Sequence, residues 1–202
     1  MNNSLGVPAH LYKTLQENET WSMTPATYAS RFIQEMEKRY GRRDSSWTFV
    51  GVEFHNANPC IWYPGSGDTP PRKHIAVSLS VNAFFDRQSA VYELAHECIH
   101  LLAPTGGRSV PVIEEGLATV FSEDMIEYWC RNTHKQAYTT DLKYADAAAR
   151  VRELLDTEPD AIHRLREIQP AFYLMKADTF TRAGFSIDSK LIEVLLTKFE
   201  DF

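Results

Sequence analysis

The sequence predicts an α+β domain, from the separation of its two kinds of pattern. Strand signals are confined to the stretch from Trp47 to Val81, and from about Arg87 onward the chain reads as helical. Strands grouped ahead of helices imply segregated layers rather than the alternating units of a doubly wound sheet. The expected architecture is a small mixed or antiparallel sheet, one helix rich in polar chemistry, and a helical C-terminal portion over residues 141–202. At 202 residues the chain is read as one domain with a substantial core.

Residues 1–20 are polar and without periodicity, so a loose lead-in is expected. Thr24-Pro25 reads as an N-cap followed by proline in the first turn. Tyr28, Phe32, Met36 and Tyr40 then form a four-residue stripe that Gly41 ends. Trp47–Phe54 reads as a strand by its β-branched and aromatic content, Pro59–Tyr63 as a second short one, and 64–71 as a Gly/Pro loop. Ile75, Val77, Leu79 and Val81 alternate with Ala76, Ser78 and Ser80, the clearest strand pattern present. Helices are expected at 87–102, 112–131, 142–155, 160–176 and 189–199. The loop at 103–111 is marked by Pro104, Gly106, Gly107 and Pro111.

Composition narrows the function classes. A hydrophobic fraction of 44% and a charged fraction of 24% are those of a globular protein. The net charge of −6, with no basic run longer than Arg42-Arg43, argues against a nucleic-acid partner. No segment reaches the ~20 apolar residues that span a bilayer, so no membrane role is expected. Cys60, Cys98 and Cys130 are odd in number and widely spaced, which fits reduced thiols in a cytoplasm. No secretory leader is legible at Met1–Leu15.

The chemistry concentrates at His96-Glu97-Cys98-Ile99-His100, an H-E-x-x-H pattern. At ~100° per residue, His100 lies ~40° around a helix from His96 and one turn along it, so both imidazoles can grip one ion. Glu97 lies ~60° from His100 on the same arc. Ala90, Val91, Leu94, Cys98, Leu101 and Leu102 occupy the opposite face, which can be buried. A catalytic zinc site needs a third protein ligand. The candidates are Glu114 and Glu115, in a stretch from Val110 to Trp129 that contains no Lys or Arg. Glu114 shares its helix face with Leu117, Phe121 and Met125. Glu115 shares one with the small residues Ala118, Thr119 and Ser122.

These segments resemble the gluzincin metallopeptidases, which carry H-E-x-x-H on one helix and a glutamate ligand on the next, often within E-G-x-A-[ST]. Glu115-Gly116-Leu117-Ala118-Thr119 matches that stretch. The resemblance covers roughly Ile75 to Phe121. It implies a zincin-like fold, Zn2+ as cofactor, His96, His100 and Glu115 as metal ligands, and a peptide or protein substrate. It further implies that zinc activates water and polarises the scissile carbonyl, with Glu97 as general base.

Two departures stand out. Only fourteen residues separate His100 from Glu115, fewer than in the large aminopeptidases, and Thr119 stands where thermolysin-like enzymes carry an aspartate. Orientation of a histidine must then come from elsewhere, with Glu93 a candidate. Small members of the group often have an oxyanion-stabilising tyrosine in a Y-x-x-A-x-x-x-V-x-x-L setting. Tyr144, with Ala147, Val151 and Leu154, matches it, and Tyr138, His134 and Tyr173 are alternatives. By the same resemblance, the Ile75–Val81 strand is the edge on which extended substrate would lie. Arg108 could meet a substrate carboxylate. The other reading of the chain is a regulatory or binding module that keeps the zinc site.

Overall fold

The structure, a computed structural model, describes Lys13–Thr14, Ser22–Met23 and residues 25–202. The expected lead-in and the Thr24 cap lie outside the described residues, except that β1 (Lys13–Thr14) pairs antiparallel with β2 (Ser22–Met23). Helix α1 (Pro25–Tyr40) buries Tyr28, Phe32, Met36 and Tyr40, and Gly41 follows it at φ 85°, the left-handed region where glycine has no Cβ penalty.

The sheet has three strands in the order β3 (Thr48–His55), β5 (His74–Ser80), β4 (Cys60–Trp62). β3 runs parallel to β5, and β4 runs antiparallel to it. The fold is therefore α+β with a mixed sheet. One expectation changes here: the 74–80 strand is central, not an edge, and Ile75 to Ser80 are all buried. The alternation read from the sequence reflects large residues on one covered face and Ala76, Ser78 and Ser80 on the other. The edges are β3 and the short strand β4.

Val81 does not end the strand but starts a short helix, α2 (Val81–Phe85). Glu93 explains the break: its carboxylate accepts from the Ser80 backbone N–H at 2.8 Å and from the Ser80 hydroxyl at 2.6 Å. Helix α3 (Arg87–His100) begins at Asp86, whose side chain caps the Ser89 N–H at 2.6 Å. Val91, Leu94, Cys98, Leu101 and Leu102 are buried as the helical arc requires. α3 packs against β5, α1 and α4 (Val112–Cys130), and α4 packs against α5 (Leu142–Thr157).

Beyond α5 the expected single helix over 160–176 divides. α6 (Ala161–Ile168) stops before Pro170, which lacks an N–H and forces Gln169 into an extended conformation (φ −137°, ψ 99°). A 3-10 turn at Phe172–Leu174 and a further helix, α7 (Ala177–Arg182), follow. α8 (Ser189–Leu196) ends earlier than its apolar pattern, because the chain then pairs with the loop before α4. Val112 N–H donates to Thr197 O at 2.9 Å, and Phe199 N–H to Val110 O at 2.8 Å.

Arg166 on α6 is buried and its guanidinium donates to the carbonyls of Tyr40, Gly41, Arg42, Leu102 and Pro170. That ties the ends of α1 and α3 to the C-terminal helices. Cys60, Cys98 and Cys130 are free thiols. Among the described residues no helix is long and apolar enough to cross a membrane.

Candidate metal centre

The two neighbouring helices α3 and α4 bring the charged side chains together. His96, Glu97 and Glu115 are buried, with 8%, 4% and 8% of their surface exposed, and Glu114 is fully buried. His96 Nε2 lies 3.1 Å from Glu115 Oε2, and His100 Nε2 lies 3.8 Å from Glu115 Oε1. Donor atoms of His96, His100 and Glu115 all lie within 4.8 Å of one another. An ion with ligands at ~2.1 Å in a tetrahedral arrangement has its donor atoms ~3.4 Å apart. The 3.1 and 3.8 Å separations bracket that spacing, so this donor set fits a zinc-sized cation.

Glu114 takes a different part from its neighbour. Its Oε1 accepts from His100 Nδ1–H at 2.8 Å, which fixes the tautomer and leaves Nε2 free to face Glu115. The sequence reading missed this role and offered Glu93 as a candidate for orienting a histidine; Glu93 grips Ser80 instead. The signal was present: Glu114 shares the apolar face of α4, and a carboxylate on such a face needs a hydrogen-bonding partner. Its second oxygen, Oε2, is buried with no hydrogen-bond partner.

Electrostatics at the cluster favour added positive charge. Burial opposes the imidazolium of His100, but Glu115, Glu114 and Glu97 outweigh it and push its pKa up to about 10. Burial alone would raise the Glu115 carboxyl, yet His100 and His96 bring it down to about 2. Burial raises Glu97 and Glu114 above the usual carboxylate range. A divalent cation there would compensate the buried carboxylates in place of protons.

Gly116, next to Glu115, is needed for close approach. A Cβ there would lie 2.4 Å from the Ala147 carbonyl oxygen and 2.7 Å from Val151 Cγ2. Its absence lets α5 lie directly on α4, and α5 carries Tyr144. The Tyr144 ring meets the His96 ring edge-on at 5.6 Å, and burial, then Glu115 and Glu97, push its phenol up to about 12. That phenol remains a donor at neutral pH. Tyr92 stacks on His96 at 6.5 Å from one helical turn earlier, a contact the sequence reading did not single out.

The cluster opens into a cleft with two halves, cavities of about 240 and 270 Å³ that share Pro59, His96, Glu97 and Tyr144. Tyr92, Tyr138 and Asp141 line the first, and Cys60 and Ile61 of β4, Tyr63 and Arg108 line the second. Of the alternatives to Tyr144, Tyr138 lines the cleft but its hydroxyl donates to Asp86 Oδ2 at 3.1 Å. Tyr173 lies under the Arg108 guanidinium at 5.4 Å, and His134 is exposed in the connection before α5.

Compared with protein-family models, curated proteins and solved structures, the chain matches none.

Proposed function

We propose that the chain is a zinc-dependent peptidase of the gluzincin type. The observation that carries this reading is the convergence of His96, His100 and Glu115 at ion-binding distances in a cleft that Glu97 also lines. Structural zinc sites are closed by four protein ligands, whereas three ligands facing an open cleft are the arrangement of catalytic ones. His96, His100 and Glu115 would hold the ion, which supplies a Lewis acid and makes water more acidic.

The chain's own residues supply the rest. Glu97, buried and poised above the usual carboxylate range, can accept a proton from the attacking water through its carboxylate and return it to the leaving amine. Tyr144, whose ring packs against His96 in the cleft, would offer a phenolic hydrogen bond to the developing oxyanion. Glu114 keeps the His100 ring turned so that Nε2 faces the cleft. The outer edge of β4, lined by Cys60 and Ile61 along the cleft, suits an extended peptide paired through its backbone. A cleft with two halves meeting at the reacting groups fits a substrate that continues on both sides of the scissile bond.

The test is Glu97→Gln measured beside the parent protein. Peptide hydrolysis should fall by ~10²- to 10⁴-fold, the worth of a general base, while bound zinc stays at about one ion per chain. Full activity in that variant removes Glu97 from the mechanism. Bound zinc with no cleavage of any peptide by the parent protein would instead make the site a binding module.

A further inference from the structure

The two halves of the cleft differ in charge. The first is walled by Tyr92, Tyr138 and Tyr144, is lined by the acidic residues Glu97 and Asp141 and by Glu93, whose carboxylate is held by Ser80, and has no Lys or Arg among its lining residues. The hydroxyls of two of these tyrosines are committed elsewhere. Thr139 Oγ1 gives its proton to Glu123 Oε1 at 2.7 Å, so Tyr92 O–H must donate to Thr139 Oγ1 at 2.8 Å. Tyr138 O–H donates to Asp86. Their rings pack on each other along this half, with centroids 5.5 Å apart and planes tilted by 35°. The nearby cation Arg152 is paired with Glu123 behind them.

The second half carries Arg108, whose guanidinium rests on the Tyr173 ring, and among the described residues no carboxylate pairs with it. Glu114 and Glu115 on that side are engaged by His100 and His96.

We propose that the cleft sorts peptides by charge: the tyrosine-walled half takes a lysine or arginine side chain, and Arg108 meets a carboxylate on the other side of the scissile bond. Aromatic ring faces and carboxylates together attract an ammonium or guanidinium. A cavity of about 240 Å³ is large enough for such a side chain but not for a folded domain. This rests on the peptidase reading for its substrate class, yet binding tests it without catalysis.

Short fluorescent peptides that differ only by Lys, norleucine, Phe or Glu at one position are titrated into zinc-loaded Glu97→Gln protein, and the parent protein digests the same set. The Lys peptide should bind about tenfold more tightly than its norleucine counterpart. Asp141→Asn, which retains the cap on α5, should reduce that preference severalfold, and Tyr138→Leu should reduce it further. Arg108→Gln should erase the advantage of a carboxylate placed beyond the scissile bond.

This pattern supports charge sorting even if no peptide is cleaved, in which case only the catalytic reading fails. Efficient cleavage with equal or better use of norleucine or Phe overturns charge sorting and leaves the peptidase reading standing. Absence of binding by every peptide also overturns it.

Discussion

Glu115 and Glu123 lie about two turns apart on α4, and both are buried, yet their surroundings differ in kind. Glu123 is met by the Arg152 guanidinium from α5 and by the Thr139 hydroxyl. Its charge is answered by a fixed cation of the chain. Glu115 faces His96 and His100, and its neighbour Glu114 also turns to His100, so two carboxylates share imidazoles that carry no permanent charge. A buried carboxylate with its own arginine is a complete structural pair. A buried carboxylate that faces imidazoles can exchange their proton for a metal cation. The difference separates a packing device from the proposed binding site on one helix.

The comparison can be broken most directly by exchanging losses. Glu115→Ala should take bound zinc from about one ion per chain to none, and chelator should then no longer lower its melting temperature, as it should in the parent protein. Arg152→Met should leave zinc stoichiometry unchanged and instead cost about 3 kcal/mol in denaturant unfolding, because Glu123 is left as an uncompensated buried charge. If Arg152→Met loses zinc while Glu115→Ala keeps it, the two carboxylates have been assigned the wrong way round.

A smaller effect is expected one position away. Glu114→Gln still accepts from His100 Nδ1–H but lacks the charge, so zinc affinity should fall by about tenfold with the fold intact, as read by competition with a chromophoric chelator. The shallowest effect is that of pH. With its pKa pushed up to about 10 in the metal-free protein, His100 must release a proton when an ion binds. Affinity should therefore rise with pH by about tenfold per unit between roughly pH 6 and 9, and weaken in acid. Calorimetry in buffers of different ionisation enthalpy counts that proton. A pH-independent affinity would mean that His100 is not a ligand.

Much of the site was legible because helical spacing is local. His96, Glu97 and His100 fall on one arc of any α-helix, and the apolar residues of α3 leave only one way to face that arc. Glu115 was reachable only through the resemblance, since the residues alone left Glu114 open. In the structure Glu114 meets His100 Nδ1, and Glu115 lies beside the Nε2 atoms of both His96 and His100. Gly116 stood in the matched stretch without a physical reason until α5 was seen to press on it. The strand expected to be an edge is central because alternation cannot tell an edge from a centre: pairing on the far side of β5 comes from β4, a three-residue strand earlier in the chain.

By itself, then, the sequence determined the helix that bears the two imidazoles, the strand-then-helix order and the net acidic composition, since all three follow from spacing and composition. Only the tertiary structure decided which carboxylate faces both imidazoles and which meets His100 Nδ1, which tyrosine ring packs edge-on against His96, and which strand lines the cleft. Each of those is a contact between residues distant in the chain, and the free energy that selects it comes from desolvation and pairing on packing, which no local pattern encodes.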